Sequence, residues 1–283
     1  MEIFDSETLA LSGLRAIGLA PHFFQQRAAW AARDPQRDPD APLLRITKVQ
    51  GEGLTLHDGH RTVPARLRPA WRERLAAAAD AVAVGDCVLA KHTAHSEWWV
   101  HERLPPLNQL ARRLHDGRDK VERVVIVSNV DVALLVMGLD ADFNARRLER
   151  FVALVRMAGV EPLVALTKAD LRADRERQLD SARAVLPPGA TAVSLDARGD
   201  TARTALAPWL RAGHTLVLLG SSGAGKSTLT NALTATVAQA IGANRLGDPP
   251  SATPPPPVRC TPRGIGKCGV FAEELQLAGL MHP

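Results

Sequence analysis

Gly220-Ser-Ser-Gly-Ala-Gly-Lys-Ser-Thr228, entered from His214-Thr-Leu-Val-Leu-Leu219 and followed by a helix-compatible stretch from Lys226 to Thr236, decides the fold. The nine residues fit G-x-x-x-x-G-K-[ST] in full, between an apolar strand and a helix, the context a phosphate-binding loop requires. Gly220, Gly223 and Gly225 let the backbone wrap tightly. The N–H groups of Ser221, Ser222 and Ala224 can then turn towards phosphate oxygens, reinforced by the helix N-terminus. Lys226 is placed for the β and γ phosphates, the Ser227 hydroxyl for Mg²⁺, and Thr228 completes the motif.

About 50 residues upstream, the apolar run Pro162-Leu-Val-Ala-Leu166 ends in Thr167-Lys-Ala-Asp170. A carboxylate at Asp170 can accept both N1–H and N2–H₂ of guanine, a pattern adenine lacks, and the Lys168 stem can lie over the base. Ser194 and Leu195 stand at the end of the next strand, Thr191-Ala-Val-Ser194, where a backbone N–H can reach guanine O6. The order of these motifs is inverted relative to ordinary GTPases, with the base motif before the phosphate loop. A parallel sheet tolerates this because ligands gather at strand carboxyl ends whatever the chain order. The domain therefore reads as circularly permuted. A further reading keeps Asp170 as a helix cap and makes the domain a P-loop ATPase or small-molecule kinase.

The surrounding texture agrees with α/β architecture. Val124 to Val127 and Val132 to Val136 are apolar runs suited to buried strands. Asn144 to Met157 carries Leu148, Val152 and Val155 at helical spacing, and a charged helix is expected over Ala173 to Val185. Alternating strands and helices predict a doubly wound parallel sheet with helices on both faces.

Upstream of this region the pattern changes. Short strands are expected at Leu43–Val49, Leu54–Leu56, Thr62–Leu67, Gly85–Ala90 and Trp98–Arg103, with Asp58-Gly59 as a hairpin turn. Five strands in about 60 residues suggest a small OB-like β-barrel. The organisation expected is a helical lead-in over 1–40, the barrel over 41–105, a basic linker over 106–122, an incomplete permuted GTPase domain over 123–248, and an irregular Pro-rich tail over 249–283. The linker holds Arg112, Arg113, Arg118 and Lys120, the candidate RNA contacts.

Composition bounds these readings. The chain has 283 residues, 46% hydrophobic and 23% charged, with a net charge of +5 and a pI near 9.5, which permits a nucleic-acid partner without requiring one. Three cysteines, Cys87, Cys260 and Cys268, are too scattered for a disulfide framework, and Cys87 reads as a small core residue. No run approaches about 18 consecutive apolar residues, so no transmembrane helix is expected. The acidic N-terminus is unlike a signal peptide, so a cytoplasmic, monomeric protein without membrane attachment is expected.

With these residues in hand, the chain resembles the RsgA family of circularly permuted GTPases over roughly residues 40 to 248. The resemblance is carried by the N-terminal barrel, Ser128-Asn-Val-Asp131, Asp142-Phe143, Arg147-Leu-Glu-Arg150, Thr167 to Asp170, Gly220 to Thr228 with Leu229-Thr-Asn231, and Gly242-Ala-Asn-Arg-Leu-Gly-Asp248. It implies a GTPase of the small (30S) ribosomal subunit that checks late maturation, hydrolyses GTP when stimulated by that subunit, and contacts 16S rRNA. The sequence departs from the family after Asp248. A Thr-rich switch, a strand ending in Asp-Thr-Pro-Gly and a Cys/His zinc domain belong to the family pattern. Here Thr253 and Thr261 lie in Pro-rich sequence, Cys260 and Cys268 have seven residues between them, His282 is a lone partner, and no zinc site is expected. A frameshift or truncation near Asp248 would account for the change. Without the switch groups, GDP binding is expected to exceed hydrolysis, and no residue is assigned as catalytic base. A hydrolysis-deficient nucleotide- and RNA-binding assembly module is the second reading.

Overall fold

The computed structural model describes residues 13–78, 80–93, 97–115, 121–140, 143–168, 174–198, 200–211, 213–234, 259–263 and 267–271. Helix α1 (Pro21–Ala31) opens with proline in its first turn, where the missing N–H costs nothing. Five strands then close a barrel: β1 (Leu43–Gln50), β2 (Gly53–His57), β3 (Thr62–Leu67), β4 (Cys87–His92) and β5 (Trp98–Arg103). Their spatial order is β1-β2-β3-β5-β4, with β4 returning to β1, β3 and β5 parallel, and helix α2 (Pro69–Ala77) between β3 and β4. This is the expected OB-like barrel.

Alternation fills the barrel. Leu44, Ile46, Leu54, Leu56, Val63, Ala65, Val88, Ala90 and Val100 point inward and form one apolar cluster. The Asp58-Gly59 turn closes β2 to β3. The Asp58 carboxylate accepts from the N–H groups of His60 and Arg61, both at 2.8 Å, and Gly59 takes a φ of +100°.

The parallel sheet has the order β10-β9-β8-β11, from β8 (Val132–Gly138), β9 (Glu161–Thr167), β10 (Thr191–Ser194) and β11 (Leu216–Leu219). All three ladders are parallel. Every residue of β8 and β11 is buried, as a doubly covered sheet demands. Ala133, Leu135 and Met137 of β8 pack with Leu148, Val152 and Val155 of α3 (Ala145–Met157) and Leu179 and Ala182 of α4 (Arg175–Ala184). Val132, Leu134 and Val136 face the other way. They pack with Ala202 and Leu206 of α5 (Asp200–Leu206) and Leu229 and Leu233 of α6 (Lys226–Thr234). Helices therefore cover both faces. Asn144 caps α3, its side chain accepting from the Arg147 N–H at 2.9 Å.

Three segments differ from expectation. Residues 106–122, read as a basic linker, contain β6 (Gln109–His115), which pairs antiparallel with β7 (Val121–Ser128). A register shift between Leu110 and Ala111 breaks the period of two, so alternation conceals the strand. Val124 to Val127 consequently belongs to this hairpin and not to the parallel sheet. A single parallel bridge from Val84 to Val127 attaches the hairpin to the barrel's approach segment. The tail, read as irregular, contains an antiparallel pair, β12 (Arg259–Arg263) and β13 (Lys267–Phe271), which sets Cys260 opposite Val270 and Cys268 opposite Pro262.

The junction between barrel and sheet is built on Arg45. Leu44 and Ile46 point into the barrel, so Arg45 points out of it, yet it is fully buried. Its guanidinium donates to the carbonyl oxygens of Ile17, Gly85 (3.3 Å) and Asn129 (3.0 Å). Asn129, in the left-handed conformation at φ +57°, donates from its amide to Gly85 O at 2.9 Å and accepts from the Leu107 N–H at 2.8 Å. Gly18 and Gly85 leave room for this packing: a Cβ would stand 2.2 Å from the Arg45 guanidinium at Gly18 and 2.0 Å from Ser128 O at Gly85.

Asp86 lies beside this junction, fully buried, 3.8 Å from Arg103 and accepting from the Ala83 N–H at 2.8 Å. Burial pushes its carboxyl up to about 6, against the pull of Arg103 and the Ala83 N–H.

Two predictions follow from the junction. Arg45→Met leaves three carbonyls without their shared donor and should cost roughly 3 kcal/mol or more in urea unfolding; Arg45→Lys should not restore it, because one ammonium cannot reproduce the planar fork. Asp86 binds its proton more tightly folded than unfolded. The stability it contributes is complete below its ordinary value of 3.8 and is lost as pH rises through about 6. Relative to Asp86→Asn, the native chain should lose up to about 3 kcal/mol between about pH 4 and pH 7, measured by denaturation at each pH.

Candidate functional site

The carboxyl ends of all four parallel strands open on one edge of the sheet. Register sets Gly138 of β8 opposite Thr167 of β9, and Ser194 of β10 opposite Leu166. The glycine-rich loop leaves β11 on the same edge, as strand-end ligand sites in open α/β sheets require.

The loop takes the conformation its glycines permit. Gly223 and Gly225 have φ of +77° and +94°. Gly220 has a different reason to be glycine: a Cβ there would stand 2.1 Å from Val136 O, so β8 and the loop could not approach as they do. Ser222 and Gly223 are exposed at the tip, whereas Ala224 and Lys226 are buried. The Lys226 ammonium donates back to Gly220 O at 3.0 Å and Ser221 O at 2.7 Å, spanning the loop. Ser227 and Thr228, half-buried, begin α6. Successive N–H groups at a helix N-terminus beside a lysine form a concavity suited to a polyphosphate.

Thr167 joins the second motif to this loop. It is fully buried, and its hydroxyl donates to Ala224 O at 2.6 Å. Lys168 follows in the left-handed conformation at φ +59°, which a residue with a side chain adopts at some cost. Its ammonium pairs with the Asp140 carboxylate on the loop after β8. The Leu195 N–H donates to Leu166 O at 2.9 Å, tying the β10 end to β9. The Ser194 hydroxyl, also at this edge, is buried without a hydrogen-bond partner.

The structure thus brings Thr167, Lys168, Ser194, Leu195 and Gly220 to Thr228 to one edge. Ala169, Asp170, Arg118 and Lys120 lie outside the described residues. Arg112 and Arg113 sit on β6 opposite Val124 and Arg123, on a hairpin outside the parallel sheet. Asp140, Asn129 and Asp131 were not singled out individually from sequence. Asp131 holds the start of β11 through a bond from the Thr215 N–H at 2.6 Å, so Ser128-Asn-Val-Asp131 serves both the barrel junction and the phosphate-loop strand. A signal for Asn129 and Asp131 existed in that clustered Asn and Asp between two apolar runs; Asp140 carried none. Among the described residues, no cluster of three or more His, Cys, Asp or Glu could hold a metal by itself. No helix among them is long and apolar enough to cross a membrane.

An OB-like barrel followed by a permuted P-loop domain defines the class: a circularly permuted GTPase fold. The chain belongs to the RsgA GTPase family, whose model matches residues 104–246. It is 40% identical over 223 residues to the small ribosomal subunit biogenesis GTPase RsgA of Xylella fastidiosa strain 9a5c, covering 78% of this chain and 63% of that protein. It is 34% identical over 224 residues to the protein of the same name from Xanthomonas axonopodis pv. citri, covering 79% of this chain and 60% of that one. The chain therefore spans a little under two thirds of the length of these relatives. The crystal structure of YjeQ from Thermotoga maritima shares the fold, with a TM-score of 0.59 at 18% identity over 83% of this chain and 76% of that one.

The bond from Thr167 generates a test. Thr167→Val keeps shape and removes the donor to Ala224 O, and should weaken guanine nucleotide binding about fivefold while Thr167→Ser retains it. Fluorescent-nucleotide titration of both variants reads this directly.

Proposed function

We propose that this chain is a GTP-binding protein of the GTPase class acting in late maturation of the small (30S) ribosomal subunit, in the cytoplasm. The supporting observation is the bond from Thr167 to Ala224 O, which joins Thr167-Lys-Ala-Asp170 to the glycine-rich loop despite their inverted order in the chain. Guanine and phosphate recognition then fall on one edge of the sheet, at the ends of β9 and β11, which flank β8.

On this reading, backbone N–H groups of Gly220 to Thr228 receive the phosphates. Lys226, buried and already spanning the loop, supplies the positive charge for the β and γ groups. Magnesium would arrive with the phosphates and take the Ser227 hydroxyl, since Mg²⁺ commonly uses few protein ligands beside substrate oxygens. When bound, it neutralises phosphate charge. Asp170 accepts the guanine N1–H and N2–H₂ and Lys168 lays its stem along the base; the Leu195 N–H, expected to reach O6, is bonded to Leu166 O in the structure and contacts O6 only by leaving that carbonyl. The basic segment 106–122, with Arg112, Arg113, Arg118 and Lys120, supplies phosphate-backbone contacts to 16S rRNA, which would make binding salt-dependent. The relatives' name, small ribosomal subunit biogenesis GTPase, supports the ribosomal partner.

A second reading is favoured by one sequence observation: no Asp-x-Pro-Gly occurs after Gly225. Without that group the γ-phosphate and its metal lose a partner, and the chain holds GDP better than it turns over GTP.

Paired titrations with fluorescent GDP and GTP, with ATP as competitor, test the assignment. Tight GDP binding, weaker GTP and no ATP competition are expected. Asp170→Asn should shift preference from guanosine to xanthosine nucleotides, and effective ATP competition would overturn the guanine reading.

A further inference from the structure

Resting on the guanine reading above, we infer that Asp140 is a positioning residue of the base subsite, acting through Lys168. Asp140 lies outside both sequence motifs, on the loop that follows β8. Three observations place it against the base-reading loop, and a fourth concerns the Lys168 backbone. Its carboxylate pairs with the Lys168 ammonium. The Leu139 N–H donates to Thr167 O at 2.8 Å, so the two loops are tied by backbone immediately beside that pair. Gly138 makes the approach possible: a Cβ there would stand 2.7 Å from Asp140 Oδ1 and 3.4 Å from Lys168 Cδ. Lys168 itself holds a φ of +59°.

These features have one physical consequence. A lysine side chain carries four rotatable bonds and, unheld, spends little time flat along any one surface. Lys168 is held at both ends. Its backbone is pinned in a conformation that L residues rarely adopt, and its ammonium is anchored by a carboxylate on a neighbouring strand end. The aliphatic stem between the two anchors therefore runs from the β9 end towards the loop after β8, with Cδ beside Gly138. A planar base entering over the β9 end meets a preformed apolar rail, and the ordering of the lysine is complete before the base arrives. The half-exposed pair is worth little as an isolated surface ion pair. Its effect is therefore expected in nucleotide affinity more than in stability.

The test is a double-mutant cycle on the full chain with fluorescent GDP as probe, thermal melting run on every variant. Asp140→Ala and Lys168→Ala should each raise the GDP Kd about fivefold, and the double variant should also stand near fivefold, because both changes remove the same rail. Asp140→Asn, which keeps shape and an acceptor without the charge, should fall between native and Asp140→Ala with an unchanged melting temperature. Multiplicative losses, near twenty-five-fold in the double variant, would overturn the inference, as would an Asp140→Ala loss that merely tracks a lowered melting temperature. If Lys168→Ala weakens GDP and Asp140→Ala does not, the positioning role fails and the guanine reading stands. If neither Lys168→Ala nor Asp170→Asn alters GDP binding, the guanine reading fails and this inference falls with it.

Discussion

A guanidinium removed from water must have its donors satisfied by the fold, and Arg45 is fully buried. Its partners come from three separate stretches: Ile17 before α1, Gly85 before β4, and Asn129 after β7. No single element offers three carbonyls converging on one point, so the bonds form only when lead-in, barrel and sheet are all in place. The planar fork makes the arrangement directional, which a lysine or a methionine could not. Asn129 extends the constraint by donating to the Gly85 carbonyl that Arg45 also uses. Two residues later, Asp131 reaches the start of β11. The path from barrel to phosphate-loop strand is thus a short chain of hydrogen bonds with apolar packing around it.

The sheet shows why a permuted order does no harm. Strand position is set by which faces are apolar and which neighbours share register, and the ligand edge is set by parallel direction. β8 is buried on every residue and takes the centre beside β9, with β11 on its other side. The two proposed recognition loops therefore meet although some 50 residues separate them in the chain. Thr167 makes the meeting physical, and Gly220 allows it, since any side chain there would collide with Val136 O.

Two non-glycine residues hold the left-handed conformation at separate places in the fold. Lys168 and Asn129 are the positive-φ residues other than glycine among the described residues. One belongs to the proposed base loop, the other to the barrel junction. Asn129 is held by its bonds with Gly85 O and the Leu107 N–H, and Lys168 by its pairing with Asp140, which is how a packed structure retains a costly conformation.

Much of the architecture was legible in residue patterns, because period and punctuation are local. Alternation of Leu54, Leu56, Val63 and Ala65 disclosed barrel strands, and Leu148, Val152 and Val155 disclosed α3. The glycine spacing from Gly220 to Gly225 disclosed a tightly turned loop between β11 and α6. The β6–β7 hairpin was not legible, because the shift at Leu110 and Ala111 scrambles alternation and the arginines resemble a solvated linker. Nor was the burial of Arg45: a charged residue between Leu44 and Ile46 reads as a solvent-facing position of a half-buried strand. Only tertiary packing brings Ile17, Gly85 and Asn129 around it. Asp140 is the same case, an ordinary loop carboxylate in the sequence whose partner lies 28 residues away on another strand end. The sequence by itself determined most of the elements and the chemistry each loop could offer, since both depend on neighbours along the chain. Which loops meet, and which polar groups are buried together, was decided by tertiary structure, because those depend on satisfying buried donors and acceptors across distant segments.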